Sequence, residues 1–146
     1  MADAQNHLLE NLKQSQESVL KLVEHIFQIS RSYTSARAAL PELEGSLLAH
    51  FRYQEQKIFP SLEDYFHGER DKLKKIEYLR FGTRELTVAL LTLVDKHTNN
   101  FSEVAIRNFP KEFLQLRQEI ANRVNDEVEH LFPLWEEFLR DRQDNS

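Results

Sequence analysis

The chain has 146 residues, enough for one domain around one core, and it contains no Cys, which excludes a disulfide framework, thiolate chemistry and Fe–S or zinc-finger sites. Apolar residues form 40% and charged residues 29%, with only three Gly and four Pro, a balance that suits a water-soluble helical protein and excludes a loop-rich or all-β one. No apolar run approaches the ~18 residues of a membrane span, and the net charge of −5 argues against direct nucleic-acid binding, which needs a basic face.

The start, Met1-Ala2-Asp3-Ala4-Gln5-Asn6, lacks the basic-then-apolar layout of a secretory signal, so a cytoplasmic location is expected. Helix A is predicted over about residues 5–35. Leu8, Leu12, Val19, Leu22, Ile26, Ile29 and Tyr33 recur there at spacings of three, four or seven, one face of an amphipathic helix. Pro41 suits the first turn of helix B, where its missing N–H costs nothing. The stripe Leu43, Leu47, His50, Gln54, Ile58 follows, and His67-Gly68 ends the segment. Helix C is expected over about 69–97, with Leu73, Ile76, Leu79, Leu86, Leu90 and Leu93 inward and Gly82 marking a close contact. Asn99 to Pro110 reads as the longest connection. Helix D takes the rest on the stripe Phe113, Leu116, Ile120, Arg123, Glu127, Leu131, Leu134, Phe138. Short connections make neighbours antiparallel, so the expected fold is one all-α domain over 1–146. It would be an up-down-up-down four-helix bundle about 40 Å long at about 1.5 Å per residue.

An internal echo crosses this pattern. Ile58-Phe59-Pro60-Ser61-Leu62-Glu63-Asp64 in helix B and Leu131-Phe132-Pro133-Leu134-Trp135-Glu136-Glu137 in helix D share an apolar-Phe-Pro step followed by an acidic pair. A proline deep in a helix removes a backbone hydrogen bond and kinks it, at about 3 kcal/mol. Two in matching contexts indicate a two-fold repeat. Upstream of each proline a polar pair falls on the apolar stripe at i and i+4: His50 with Gln54, and Arg123 with Glu127. Inward polar groups are costly unless paired, so these four residues are expected to form one polar layer, with Glu55 beside it.

The stretch from His50 to Pro60 resembles the helix-B signature of hemerythrin-like (HHE) domains, His-x-x-x-Glu followed by an apolar-Phe-Pro step, and Arg123 to Pro133 is similar to its second copy. The resemblance implies a hemerythrin-like bundle with a non-haem di-iron centre held by several His and two bridging carboxylates. His50 and Glu127 match that pattern. Gln54 replaces the first Glu and Arg123 the second His, and helix C offers only His97, at its far end, with Glu77, Tyr78 and Glu85 near the expected level. The metal candidates are therefore His50, Glu127, Glu55 and, from helix A, His25. His25 is nearly level with His50 if the A–B turn centres near Arg37, while His7 has a sequence separation more like that of several hemerythrin-like domains. Arg123 is expected to pair with Glu127 and, across the bundle, with Glu55, turning a metal site into an ion-pair layer. His50-Phe51 with Glu55, Arg123 with Glu127, and Leu22-Val23-Glu24 also resemble the sigma-70 regulator family, hemerythrin-like bundles without iron.

Other signals read plainly. Glu127-x-x-His130 has the di-iron spacing of ferritin-like bundles but no second copy. His67 is expected to cap helix B, and His97 to sit at the end of helix C, where positive charge is favoured. Lys72, Lys74, Lys75, Arg80 and Arg84 read as a solvated face rather than a docking surface for an acidic partner. Phe101, Phe109 and Trp135 are expected to close the bundle rather than form an exposed patch. No nucleophile–base pair or phosphate loop indicates an enzyme. Two functions remain: a non-enzymatic regulatory or protein-interaction module whose partner is another protein, or an iron-binding protein for oxygen or redox sensing that uses the residual site.

Overall fold

The computed structural model describes residues 2–99 and 102–144. Among them there is no strand; the chain runs α1 (Ala2–Gln28), α2 (Tyr33–Tyr53), a π turn (Gln54–Ile58), α3 (Phe59–Tyr65), α4 (Arg70–Asn99), α5 (Glu103–Asp126), a second π turn (Glu127–Leu131) and α6 (Phe132–Asp144). The residues bordering both π turns keep right-handed helical dihedrals. Thus α2 with α3, and α5 with α6, are continuous, and the segments make four rods. No helix is long and apolar enough to cross a membrane.

Two boundaries differ from those expected, and serines explain both. Helix A does not run to residue 35. It stops at Gln28, and Ser32, in extended conformation, caps α2 by accepting from the Ser35 N–H. At the same end of the molecule Ser102 accepts from the Ala105 N–H at 3.1 Å and opens α5, so most of the expected connection before Pro110 is helix. Pro41 and Pro110 consequently lie inside helices rather than at their starts. Both are exposed, on the face where a helix can bend its carbonyls toward water. At the end of the second rod Gly68 takes φ 86°, the left-handed conformation that lets the chain leave a helix and turn; His67 is exposed there.

Pro60 and Pro133 are accommodated by the π turns. The Phe59 N–H bonds to Gln54 O and the Phe132 N–H to Glu127 O, a five-residue step in place of the usual four. Each widened turn sits just upstream of the proline that cannot donate. The expected kink is therefore a one-turn change of helical type, repeated at the same place in both rods. Gln54 and Glu127, which open the two π turns, are 73 residues apart, as are His50 and Arg123 and the two prolines.

Both predicted stripes of the second and fourth rods are buried in full, as are Ile76, Leu79, Leu86, Leu90 and Leu93 of α4. Phe109 and Trp135 are buried and close the core; Phe101 lies outside the described residues. The core nevertheless falls into two clusters. One gathers Val19, Val23 and Ile26 with Leu40, Leu47, Leu90 and Phe113. The other gathers Leu12 with Phe59, Phe66, Leu79, Phe132 and Trp135. Side chains meet across the rods in a regular order. Along α1, Lys13 lies over the Phe132 ring, Gln16 meets Glu127 and Glu24 meets Arg117; along α4, Lys72 meets Glu137, Tyr78 meets Asp126 and Lys96 meets Glu112.

Gly82 does not mark a close backbone approach. A methyl group there would meet only Arg123 Nη1, at 3.5 Å, an ordinary contact. Gly82→Ala should therefore stabilise the protein by up to about 1 kcal/mol, the helix-interior preference for Ala. Urea denaturation checks this, and a destabilised variant would mean that the space over Arg123 is needed.

Candidate functional site

The two apolar clusters are separated by a polar layer. Its centre is Glu127, whose side chain is almost wholly buried. Four side chains donate to it. Gln16 Nε2 lies 2.9 Å from Oε1, His50 Nε2 2.9 Å from Oε1 and 3.1 Å from Oε2, Gln54 Nε2 2.8 Å from Oε2, and Arg123 Nε 3.1 Å from Oε2. The arginine fork is filled as well: Nη2 donates to Gln54 Oε1 and Nη1 to the Leu79 carbonyl, each at 2.6 Å. Thr83 Oγ1 shares that carbonyl at 3.0 Å. All four rods therefore contribute.

Nε2 of His50 faces the carboxylate and donates to it, and the Ser15 hydroxyl lies 2.8 Å from Nδ1. Gln54 Nε2 lies 3.0 Å from His50 Nε2; both are then donors sharing one acceptor. Gln54 donates to the carboxylate on one side and accepts from the guanidinium on the other, which an ionised Glu could not do.

Burial pushes the Glu127 carboxyl up, but the hydrogen bond and charge of His50, the charge of Arg123 and the Gln54 amide outweigh it and hold the group below its ordinary value of 4.5. Burial lowers the proton affinity of the Arg123 guanidinium, opposed mainly by Glu127. An arginine has so far to fall that it stays charged. The pair is thus a carboxylate and a guanidinium, neutral in sum and hydrogen-bonded on every side.

His50, Gln54, Arg123 and Glu127 come together as the sequence implies, all nearly or fully buried. The other candidates do not join them. Glu55 faces outward to Arg80, 3.4 Å away, and so is not Arg123's partner across the rods; Gln54 and Leu79 are. His25 is exposed. The turn after α1 lies at residues 29–32, not near Arg37, and this register sets Ser15 opposite His50. His7 is at the surface beside Glu10. Glu77, Tyr78 and Glu85 are exposed, and α4 contributes Thr83 and the Leu79 carbonyl instead. His130 turns away from Glu127 to meet the edge of Tyr78. Ser15 and Gln16 were missed. Their signal was the seven-residue gap between Leu12 and Val19 in the apolar stripe, and the gap between Leu79 and Leu86 marks Thr83 in the same way.

No family model matches the chain, and no curated protein or solved structure is similar enough to count as a match. Its chemistry is therefore read from the layer alone. A di-iron centre needs several imidazoles and bridging carboxylates; this layer offers one of each, with a guanidinium and two amides around them, and the residues present do not fit that group. Among the described residues no three His, Cys, Asp or Glu side chains are grouped to hold a metal ion. Ser15, His50 and Glu127 follow one another in the order of a nucleophile, base and acid. Ser15, however, sits in the interior of α1, where backbone N–H groups are committed to the helix and cannot form an oxyanion hole.

A second buried histidine repeats the arrangement of the first. His97 has no exposed surface, accepts from the Tyr33 hydroxyl at Nδ1 (2.9 Å) and donates from Nε2 to Glu112 (3.2 Å), with the Phe109 ring packed edge-on at 4.9 Å. It is not a solvated cation at a helix end: burial lowers its proton affinity from the ordinary 6.5, against the pull of Glu112.

Two outcomes are expected. Arg123→Leu leaves Glu127 buried without its cation and should cost about 3–5 kcal/mol in chemical denaturation; a change under about 0.5 kcal/mol would show that the pair does not hold the layer. The unfolded chain protonates His97 at a higher pH than the folded one. Its share of stability is therefore complete above about 6.5 and is lost as pH falls below that. Thermal melts from pH 7.5 to 5 should show a steeper decline for the wild type than for His97→Gln, and parallel curves would contradict the assignment.

Proposed function

We propose that this protein is an up-down-up-down, hemerythrin-like bundle whose metal layer has become an ion-pair layer, and that it acts as a non-enzymatic regulatory or protein-interaction module. The observation that carries this reading is the Arg123 guanidinium, seated between Glu127 and Gln54 at the level where the resemblance implies a metal centre. The repeat supports it: two polar pairs, two π turns and two Phe-Pro steps stand in the same order at one separation. Side-chain pairings support the topology. Residue numbers rise along α1 as they fall along its partners, from Leu8 with Tyr53 and Ser15 with His50 to Lys13 with Phe132 and Glu24 with Arg117. Along α4 the same holds for Arg80 with Glu63 and the His97 carbonyl with Arg37.

The physical logic of the two replacements is common to both. Without a divalent ion, two carboxylates and their His partners would leave negative charge stranded in an apolar core. Gln54 removes one charge and Arg123 balances the other. What remains is a rigid scaffold with no open position at its centre, which directs attention to its outer faces.

Elemental analysis of protein purified without chelator or affinity tag tests the reading. Less than about a tenth of an equivalent of any transition metal is expected, with no rise in Tm on adding iron. About two irons per chain, with a ligand-to-metal absorption band, would instead establish the iron-binding function. Gln54→Glu combined with Arg123→His restores both His-x-x-x-Glu pairs, and this variant should gain Tm in Fe(II) or Zn(II) where the wild type does not.

A further inference from the structure

Between α4 and α5 runs a surface groove of about 510 Å³. Its floor is made by small and apolar residues of α4, Gly82, Leu86 and Ala89, and its far wall by Asn122 and the edge of Arg123. Gly82 opens it, since no side chain stands there above the guanidinium. On the α4 side the wall is aromatic and unusually exposed: Tyr78 is 55% and Phe81 59% accessible, and Val88, two turns on from Phe81, is 64% accessible. Two exposed aromatic side chains, Tyr78 and Phe81, beside an apolar floor form a contiguous patch of the kind that marks an interaction site.

The groove is also polarised. Three of its lining residues are carboxylates, Glu85 from α4 and Glu119 and Asp126 from α5. Asp126 accepts from the Tyr78 hydroxyl at 3.2 Å, and its charge is the main reason that the hydroxyl holds its proton more tightly than usual. Glu85 and Glu119 have no ion-pair partner among the described residues. Among the described residues the one cation lining the groove, Arg123, is already committed to Glu127, Gln54 and the Leu79 carbonyl. The exposed cations of α4, Arg70, Lys74, Lys75 and Arg84, lie outside it.

We infer that this groove binds a basic amphipathic helix of a partner protein, with apolar side chains seated against Phe81, Leu86 and Ala89 and Lys or Arg side chains reaching Glu85 and Glu119. Apolar anchors in a helical groove supply the affinity, and the flanking charges select the sign of the partner. A second copy of this chain fits poorly, because a symmetric contact would set the three carboxylates against their own counterparts. Nucleic acid is disfavoured by the same charges. The inference rests on the reading of the chain as an interaction module and adds to it the face and the chemistry of the partner.

The probe is a fluorescent amphipathic peptide of about 18 residues built from Leu and Lys at helical spacing, with a twin in which Glu replaces every Lys. The Lys peptide should bind the full chain, more weakly as salt rises, and shift the NMR signals of Phe81, Ala89 and Asn122. The Glu twin should not bind. Glu85→Lys with Glu119→Lys, both outside the buried layer, should keep the helical spectrum, weaken the Lys peptide at least about tenfold and admit the Glu twin. Phe81→Ala should weaken the Lys peptide without altering its preference over the twin. Equal binding of both peptides, shifts that map elsewhere, an unaffected charge-reversed variant or a Phe81-dependent dimer would each overturn the inference. Absence of any binding would overturn it too, while leaving the metal-free module to be judged on metal content.

Discussion

A single carboxylate in the middle of the core sets the terms for everything around it. Burying Glu127 would be prohibitive alone; a stranded charge of this kind either neutralises or unfolds its host. Here it is met by donors from α1, from two residues of the second rod and from its own rod, while α4 supplies the carbonyl that orients the arginine. No two rods can satisfy it without the others. The layer thus acts as a registration pin. Sliding any rod by one turn, about 5.4 Å, would break several charge-assisted bonds at once, whereas the leucine and phenylalanine contacts above and below could re-form with other partners. Hydrophobic burial supplies most of the drive to collapse, and the carboxylate decides which collapsed arrangement is adopted.

The two π turns belong to the same device. Gln54 and Glu127 each open one, so these two layer residues stand where the helix widens. The widening accommodates Pro60 and Pro133 and hands the chain over to the second, aromatic cluster. Proline, π turn and polar pair therefore travel together as one unit, and their repetition at a fixed separation is the strongest internal evidence of two-fold structure in the chain.

Much of this was readable from the sequence, and the failures have particular causes. The stripes of the second and fourth rods could be followed through their polar members because His50, Gln54, Arg123 and Glu127 hold helical spacing with apolar residues on both sides. Pro41 and Pro110 misled because proline was taken as a boundary, while serine caps, which satisfy open N–H groups directly, set the true starts at Ser32 and Ser102. That shift of the first turn moved the register of α1, so His25 went to the surface and Ser15 to the layer. Ser15 and Gln16 escaped notice because a stripe is sought by its apolar members, and a polar residue inside it registers only as a gap. Glu55 and His97 depended on which way a side chain turns in three dimensions, toward Arg80 in one case and under Phe109 in the other, and no local pattern carries that information.

The separation of the core into two clusters has a spectroscopic consequence. The chain has one tryptophan, Trp135, and it lies wholly within the cluster that holds Phe59, Phe66 and Phe132, on the far side of the layer from Leu40, Leu90 and His97. Its emission therefore witnesses one end of the molecule only. Loosening of the opposite end, around the α1–α2 turn, would be silent to the natural fluorophore while visible in far-ultraviolet dichroism and in hydrogen exchange. The distance between those signals would measure how well one buried carboxylate couples the two halves into a single cooperative unit.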